Sequence, residues 1–272
     1  MRYTTLVGTE LETSRLGFGT ASLHHALRGK DKEALLRAAL DNGITHFDTA
    51  RMYGEGSAER ALGKYLGTAR QRVTLATKFG IPAIPVLERA PWLVYPQRLL
   101  GKVGRRVMPA LWRERRRCLS RSCVEASLQQ SLKALRTDWI DIFFVHEPGS
   151  GGVDDLLELA EYLHRQRTAG VIRYLGLAGS AADCVAVVQQ TEGLFDVLQV
   201  EDSIQQREAD VVTGAGLPLQ ITYGYVRRAA ETQPHPDALT LISQALERNA
   251  QGMVLISTRR PKRVRELARL AA

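Results

Sequence analysis

Short apolar runs rich in β-branched residues alternate along this chain with segments whose apolar positions recur every three or four residues. The runs lie near residues 16–20, 45–48, 73–79, 139–145, 172–177, 196–200, 218–222 and 252–256, and each predicts a strand. Helical periodicity fills the intervals near 31–42, 57–67, 121–136, 153–168, 180–190, 205–213, 236–249 and 261–270. In segment 121–136, Ser122 stands as N-cap before an apolar stripe of Val124, Leu128, Leu132 and Leu135. Ahead of the alternation, residues 3–13 read as a hairpin turning at Val7-Gly8-Thr9-Glu10.

Strict alternation of strand and helix means parallel strands joined by right-handed crossovers. Eight such units in about 250 residues predict a closed (β/α)8 TIM barrel, with an N-terminal β-hairpin, as one domain spanning residues 1–272. The open doubly wound sheet is the competing fold, and its first strand should enter a G-x-G-x-x-G turn. Here Gly17-Phe18-Gly19-Thr20-Ala21-Ser22 has Ser22 where the third glycine belongs, which favours the barrel. Residues 80–120, with Pro82, Pro85, Pro91, Pro96 and Pro109, form one long insertion after the third barrel strand, on the face where barrel active sites lie.

At 272 residues and 44% hydrophobic content the chain has enough apolar surface for one large core. The formal net charge of +8 matters less than its distribution. Residues 98–121 hold nine Arg and Lys against the single acid Glu114, while the rest of the chain balances 28 basic with 28 acidic residues. No aromatic interleaving, helix-turn-helix or zinc pattern accompanies this stretch. It is read as a solvated basic excursion with no nucleic-acid partner; anion or nucleic-acid binding is the rival reading, marked by steep salt dependence. No run approaches the ~18 apolar residues that span a bilayer, and Met1-Arg2-Tyr3-Thr4-Thr5 is too polar to open a signal peptide. A cytoplasmic protein with no membrane partner is expected. Cys118, Cys123 and Cys184 are odd in number and lack metal-ligand spacing, so they read as reduced thiols with no metal site.

Functional groups of a barrel belong where strands end and βα loops begin. Four ionisable residues occupy those places: Asp48 ends the second run, Tyr53 follows in the next loop, Lys78 ends the third and His146 ends the fourth. Asp and Lys at adjacent strand ends can pair. An ammonium near a phenol lowers the tyrosine pKa from about 10, making Tyr53 a usable acid, and a nearby histidine can donate to a carbonyl oxygen. Singly, each has an ordinary structural explanation: a loop cap, a packing ring or a buried ion pair. Four at successive strand ends on one face point to a site.

These residues sit in motifs that resemble the aldo-keto reductase family. The motifs are Leu16-Gly17-Phe18-Gly19-Thr20, Phe47-Asp48-Thr49-Ala50-Arg51-Met52-Tyr53-Gly54, Ala76-Thr77-Lys78-Phe79-Gly80, Asp138-Trp139-Ile140-Asp141 through to His146, and Gly170-Val171-Ile172-Arg173 to Gly176. The resemblance implies Tyr53 as general acid, Asp48 and Lys78 tuning it, His146 orienting the carbonyl, and direct hydride transfer from a nicotinamide cofactor, NADPH rather than NADH, without a metal. It further implies cofactor contacts at Gly19, Thr20, Asp48, Gln199, Tyr223, Thr258 and Arg263, with Gln199 on the carboxamide, Tyr223 stacked on the ring and Arg263 at the 2′-phosphate. Tyr53 and His146 are implied on the substrate; Trp92 and Trp112 are read as candidate substrate contacts in the pocket wall, with simple packing as the rival reading.

Two departures stand out. The family's Ser-Asn pair that holds the carboxamide is replaced by Ala178-Gly179, and Ser257 stands where many members carry lysine. The expected function is reduction of an aldehyde or ketone by NADPH, or the reverse oxidation of an alcohol or sugar, on a small-molecule substrate. The alternative is a non-catalytic nicotinamide-nucleotide sensor or regulatory subunit on the same fold, and homo-oligomer formation is left open.

Overall fold

The computed structural model describes residues 1–26, 28–89, 116–149 and 152–272. An antiparallel hairpin of β1 (Tyr3–Thr5) and β2 (Glu12–Ser14) precedes eight parallel strands: β3 (Leu16–Gly19), β4 (His46–Asp48), β5 (Thr74–Phe79), β6 (Ile140–His146), β7 (Ile172–Gly179), β8 (Val197–Glu201), β9 (Ile221–Tyr223) and β10 (Met253–Ile256). They pair in chain order and β10 returns to β3, closing the barrel that the alternation predicts. Around it run α1 (Gly29–Asp41), α2 (Ser57–Tyr65), α3 (Pro85–Arg89), α4 (Arg121–Leu135), α5 (Val153–Thr168), α6 (Ala181–Gln190), α7 (Asp210–Gly214), α8 (Tyr225–Thr232), α9 (Ala238–Arg248) and α10 (Pro261–Ala268).

Every strand residue alternates between two environments, and that alternation positions the site. One set, including Phe47, Leu75, Phe143, Val145, Leu175 and Leu198, packs outward against the helices. The other, including Ala76, Ile142, Phe144, Ala178, Val197, Ile221, Met253 and Leu255, fills the barrel interior together with Leu6 and Leu11 of the hairpin. Stepping two residues along the interior set carries Ala76 to Lys78, Phe144 to His146, Val197 to Gln199 and Ile221 to Tyr223. The apolar interior thus ends in a polar layer at the carboxyl ends of the strands. Cross-strand register fixes its level: Asp48 pairs with Ala76, Lys78 with Phe144, and His146, Ala178 and Gln199 lie abreast.

The structure corrects three local expectations. The N-cap of α4 is Ser120, whose side chain accepts from the Cys123 N–H at 3.4 Å, so Ser122 lies within the first turn. Cys118 and Cys123 flank that cap, and the helical start folds them to a Cα–Cα distance of 6.0 Å, where they form a disulfide. Only Cys184, on the buried face of α6, is the free thiol expected of all three. Between β9 and the segment near 236–249, where no helix is expected, the chain forms α8, with Tyr225 and Ala229, one turn apart, as its buried face. Trp92, Trp112 and residues 98–115 of the basic stretch lie outside the described residues.

His46 lies inside the barrel one step below Asp48, with Nδ1 2.8 Å from Thr74 Oγ1. Burial, aided by the Lys78 ammonium, pulls its pKa from 6.5 to about 3. The fold therefore holds His46 neutral while the unfolded chain protonates it, so stability is lost as pH falls below 6.5 and the loss grows down to about pH 3. Between pH 7 and pH 4.5 this amounts to about 2–3 kcal/mol. We expect the urea midpoint to fall accordingly over that interval, and His46→Gln, which keeps a polar partner for Thr74 without titrating, to flatten the fall. An equal fall in both proteins would place the acid sensitivity elsewhere.

Candidate active site

A cavity of about 700 Å³ opens over the carboxyl ends of the strands. Its wall includes Asp48, Tyr53, Lys78, His146, Gln199 and Tyr223, and it extends past Ser257 and Thr258 to Arg259, Arg260 and Arg263.

Lys78 pairs with Asp48 Oδ1 and donates to the Thr49 carbonyl at 2.9 Å. Both side chains are buried. Burial pushes the Asp48 carboxyl up and the Lys78 ammonium down, and each charge opposes the shift of the other. A hydrogen bond from Gln199 also favours the Asp48 carboxylate, leaving Gln199 Oε1 buried and without a hydrogen-bond partner.

Tyr53 is delivered by a turn anchored at several points. Arg51 is clamped by Glu59 and Glu88 and donates to Gln130 Oε1 at 3.0 Å. The chain then reverses through Gly54, Glu55 and Gly56, at φ of 55°, 54° and 74°. Glycine adopts these angles freely; Glu55 does not, and its carboxylate is tied down by the Ile84 N–H at 2.7 Å. The Tyr53 ring meets the His146 ring edge-on, with centroids 5.8 Å apart at 85°, and Lys78 Nζ lies 5.0 Å from the Tyr53 centroid.

The expected lowering of the Tyr53 pKa is not found. Burial, and then the negative charges of Asp48 and Glu147, raise it well above 10. The reason is that Lys78 is bound to Asp48, so the pair presents little net positive charge to the phenol. Tyr53 is accordingly a protonated phenol across the neutral range. That is the state a proton donor requires.

The residues expected to contact a cofactor divide into two groups. Gly19, Asp48, Gln199, Tyr223, Thr258 and Arg263 all line the cavity. Thr20 does not: it is fully buried, and both its N–H and its hydroxyl donate to the Asp48 carbonyl at 2.9 Å, so it braces the strand end from below. The guanidinium groups gather where α10 begins, with Arg263 3.2 Å from Glu266. Ser22 and Ser257 bridge the cavity edge at 2.7 Å between their hydroxyls.

Residues 15–213 match the Aldo/keto reductase family, and they carry the whole cluster of Asp48, Tyr53, Lys78, His146 and Gln199. The chain belongs to the aldo/keto reductase family, a family of oxidoreductases. It is 31% identical to the aldo-keto reductase YhdN of Bacillus subtilis over 186 residues, covering 65% of this chain and 47% of that protein. It is 32% identical to a D-threo-aldose 1-dehydrogenase of Pseudomonas over 175 residues, covering 62% of this chain and 51% of that one. The chain thus spans about half the length of the curated relatives it matches. Its fold resembles that of a Klebsiella pneumoniae aldo-keto reductase in complex with NADPH, with a TM-score of 0.70 at 20% identity over 100% of this chain and 90% of that one. A glycerol dehydrogenase of Gluconobacter oxydans superposes with a TM-score of 0.73 at 17% identity, over 98% of this chain and 89% of that one.

Within this aldo/keto reductase, sequence reasoning passed over Glu147 and Arg227, both of which line the cavity. Glu147 carried the same signal as the others, an ionisable side chain at a strand end, one residue beyond His146. Arg227 rises from α8 and pairs with Glu201 at the end of β8. It could not be found while α8 itself was missed.

Proposed function

We propose that the protein reduces the carbonyl group of an aldehyde or ketone with NADPH, Tyr53 supplying the proton. The observation that carries this reading is the meeting of Tyr53, His146 and the Lys78–Asp48 pair in one cavity with Gln199, whose buried Oε1 lacks a partner. An acceptor left without a donor in a cavity wall is what an amide-bearing ligand would satisfy.

The residues present fit a nicotinamide dinucleotide phosphate. Gln199 would accept from its carboxamide, Tyr223 would lie against its ring, and Gly19 would let it approach the backbone at the end of β3. Thr258 and Arg263 would hold its phosphate at the start of α10, where the helix dipole also favours an anion. When bound, the cofactor supplies a hydride to the carbonyl carbon. The chain does the rest. His146 and Tyr53 orient the carbonyl oxygen from two sides, the Tyr53 hydroxyl gives that oxygen its proton, and solvent reprotonates the phenolate beside the Lys78–Asp48 pair.

NADPH oxidation with small aldehydes by the wild type and by Tyr53→Phe tests this reading. Preference for the phosphorylated cofactor rests on Arg263. A charge-assisted hydrogen bond contributes about 1.5–3 kcal/mol. Arg263→Ala should therefore raise the Kd for NADPH at least about tenfold and leave that for NADH nearly unchanged, as read by fluorescence titration. Equal weakening of both would remove Arg263 from the phosphate.

A further inference from the structure

We propose that Glu147 is the substrate-selecting residue of this site, accepting a hydrogen bond from a hydroxyl group carried next to the reacting carbonyl. The inference rests on the reductase reading above and adds to it the class of carbonyl compound: small, neutral and hydroxylated.

The first ground is placement. Glu147 follows His146 directly and lines the same cavity, so its Cα is about 3.8 Å from that of the residue that orients the carbonyl oxygen. Tyr53 and His146 both serve as donors to the carbonyl oxygen. What lies beside the carbonyl carbon then faces Glu147, which in its ionised form can only accept.

The second ground is how the side chain is held there. Glu147 has a φ of 51°, in the left-handed region that an L residue with a Cβ adopts at a cost. Two contacts impose it: the Glu147 N–H donates to the Ala178 carbonyl at 2.7 Å, and Arg117 Nη1 donates to the Glu147 carbonyl at 2.7 Å. Gly179 makes room for the result. A Cβ on that residue would stand 3.0 Å from Glu147 Oε2, so any larger side chain would push the carboxylate away.

The third ground is that the carboxylate is uncommitted. It makes no hydrogen bond or ion pair among the described residues; partial burial and the Asp183 carboxylate push its pKa up, Lys78 and Arg227 oppose that shift, and the residue stays in part open to solvent. Its field still reaches the reacting groups, for it is one of the charges that raise the Tyr53 pKa. Charge selects among possible donors. Glu147 itself repels a carboxylate at the reacting end, whereas a neutral hydroxyl can donate to it.

Glyceraldehyde and propanal, the same three-carbon aldehyde with and without hydroxyls, provide the test, with NADPH and the full chain. The wild type should favour glyceraldehyde by about tenfold in kcat/KM, mainly through KM. Glu147→Gln, which keeps an acceptor and loses the charge, should retain part of that preference and accept succinic semialdehyde better than the wild type does. Glu147→Gly should abolish the preference. Because glycine adopts the left-handed angle freely, this variant should also melt no lower than the wild type, so a loss of selectivity cannot be put down to misfolding. A role in structure alone would lower kcat/KM for both aldehydes together. An unchanged ratio in Glu147→Gly, with turnover present, overturns the proposal on its own. Absence of wild-type turnover with either aldehyde overturns the reductase reading and this proposal with it.

Discussion

Replacing Tyr53 by phenylalanine is expected to lower kcat for carbonyl reduction about a thousandfold, the range in which a positioned general acid contributes. The Kd for NADPH should change by less than about threefold. The substitution removes one oxygen and leaves the ring that packs edge-on against His146. It also removes a group that burial holds protonated, so nothing charged is disturbed at neutral pH. Steady-state kinetics and a fluorescence titration on the same preparation separate chemistry from binding. Turnover within about tenfold of the wild type would mean that the proton comes from elsewhere, with His146 the nearest alternative.

The second large effect concerns stability as well as rate. Lys78→Met should cost about 3–5 kcal/mol, because it leaves the buried Asp48 carboxyl without its ion-pair partner. For a chain of this size that corresponds to a fall of about 10 °C in melting temperature. Turnover should fall too, since the positive member of the pair beside Tyr53 is gone. The double variant Asp48→Asn/Lys78→Met leaves no buried charge to strand and should regain most of the lost stability without regaining turnover. Calorimetry on the two single variants and the double one gives the coupling directly. A double variant no more stable than Lys78→Met would show that the pair is not what holds this end of the barrel.

The barrel was legible because its signal repeats. Eight apolar runs at regular spacing, each followed by helical periodicity, leave few other ways to bury strands on both faces. The candidate site was legible for the same reason: Asp48, Lys78, His146 and Gln199 continue the inward-facing register of their strands by one more step, and in the last three a polar side chain follows an apolar one. What escaped lies where no such register operates. Helix α8 is short and mostly polar, with only Tyr225 and Ala229 buried, too few positions to produce a stripe. The Cys118–Cys123 bridge depends on where α4 starts: with Ser120 rather than Ser122 as N-cap, Cys123 falls in the first turn and Cys118 just ahead of the cap, 6.0 Å apart at Cα. The direction of the Tyr53 shift depends on how completely Lys78 is engaged by Asp48 and on how deeply the ring is buried, and residue identity encodes neither. Glu147 announced itself by position, but its entry into the cavity depends on a left-handed backbone angle imposed by Arg117 and Ala178.

The most direct test of the central claim is to follow NADPH consumption by the wild-type protein across a panel of small aldehydes and ketones while quantifying the alcohol formed. We expect one alcohol for each NADPH consumed, with turnover abolished in Tyr53→Phe. Tight NADPH binding without turnover on any carbonyl compound would contradict the account and identify the protein as a nucleotide-binding sensor built on this barrel.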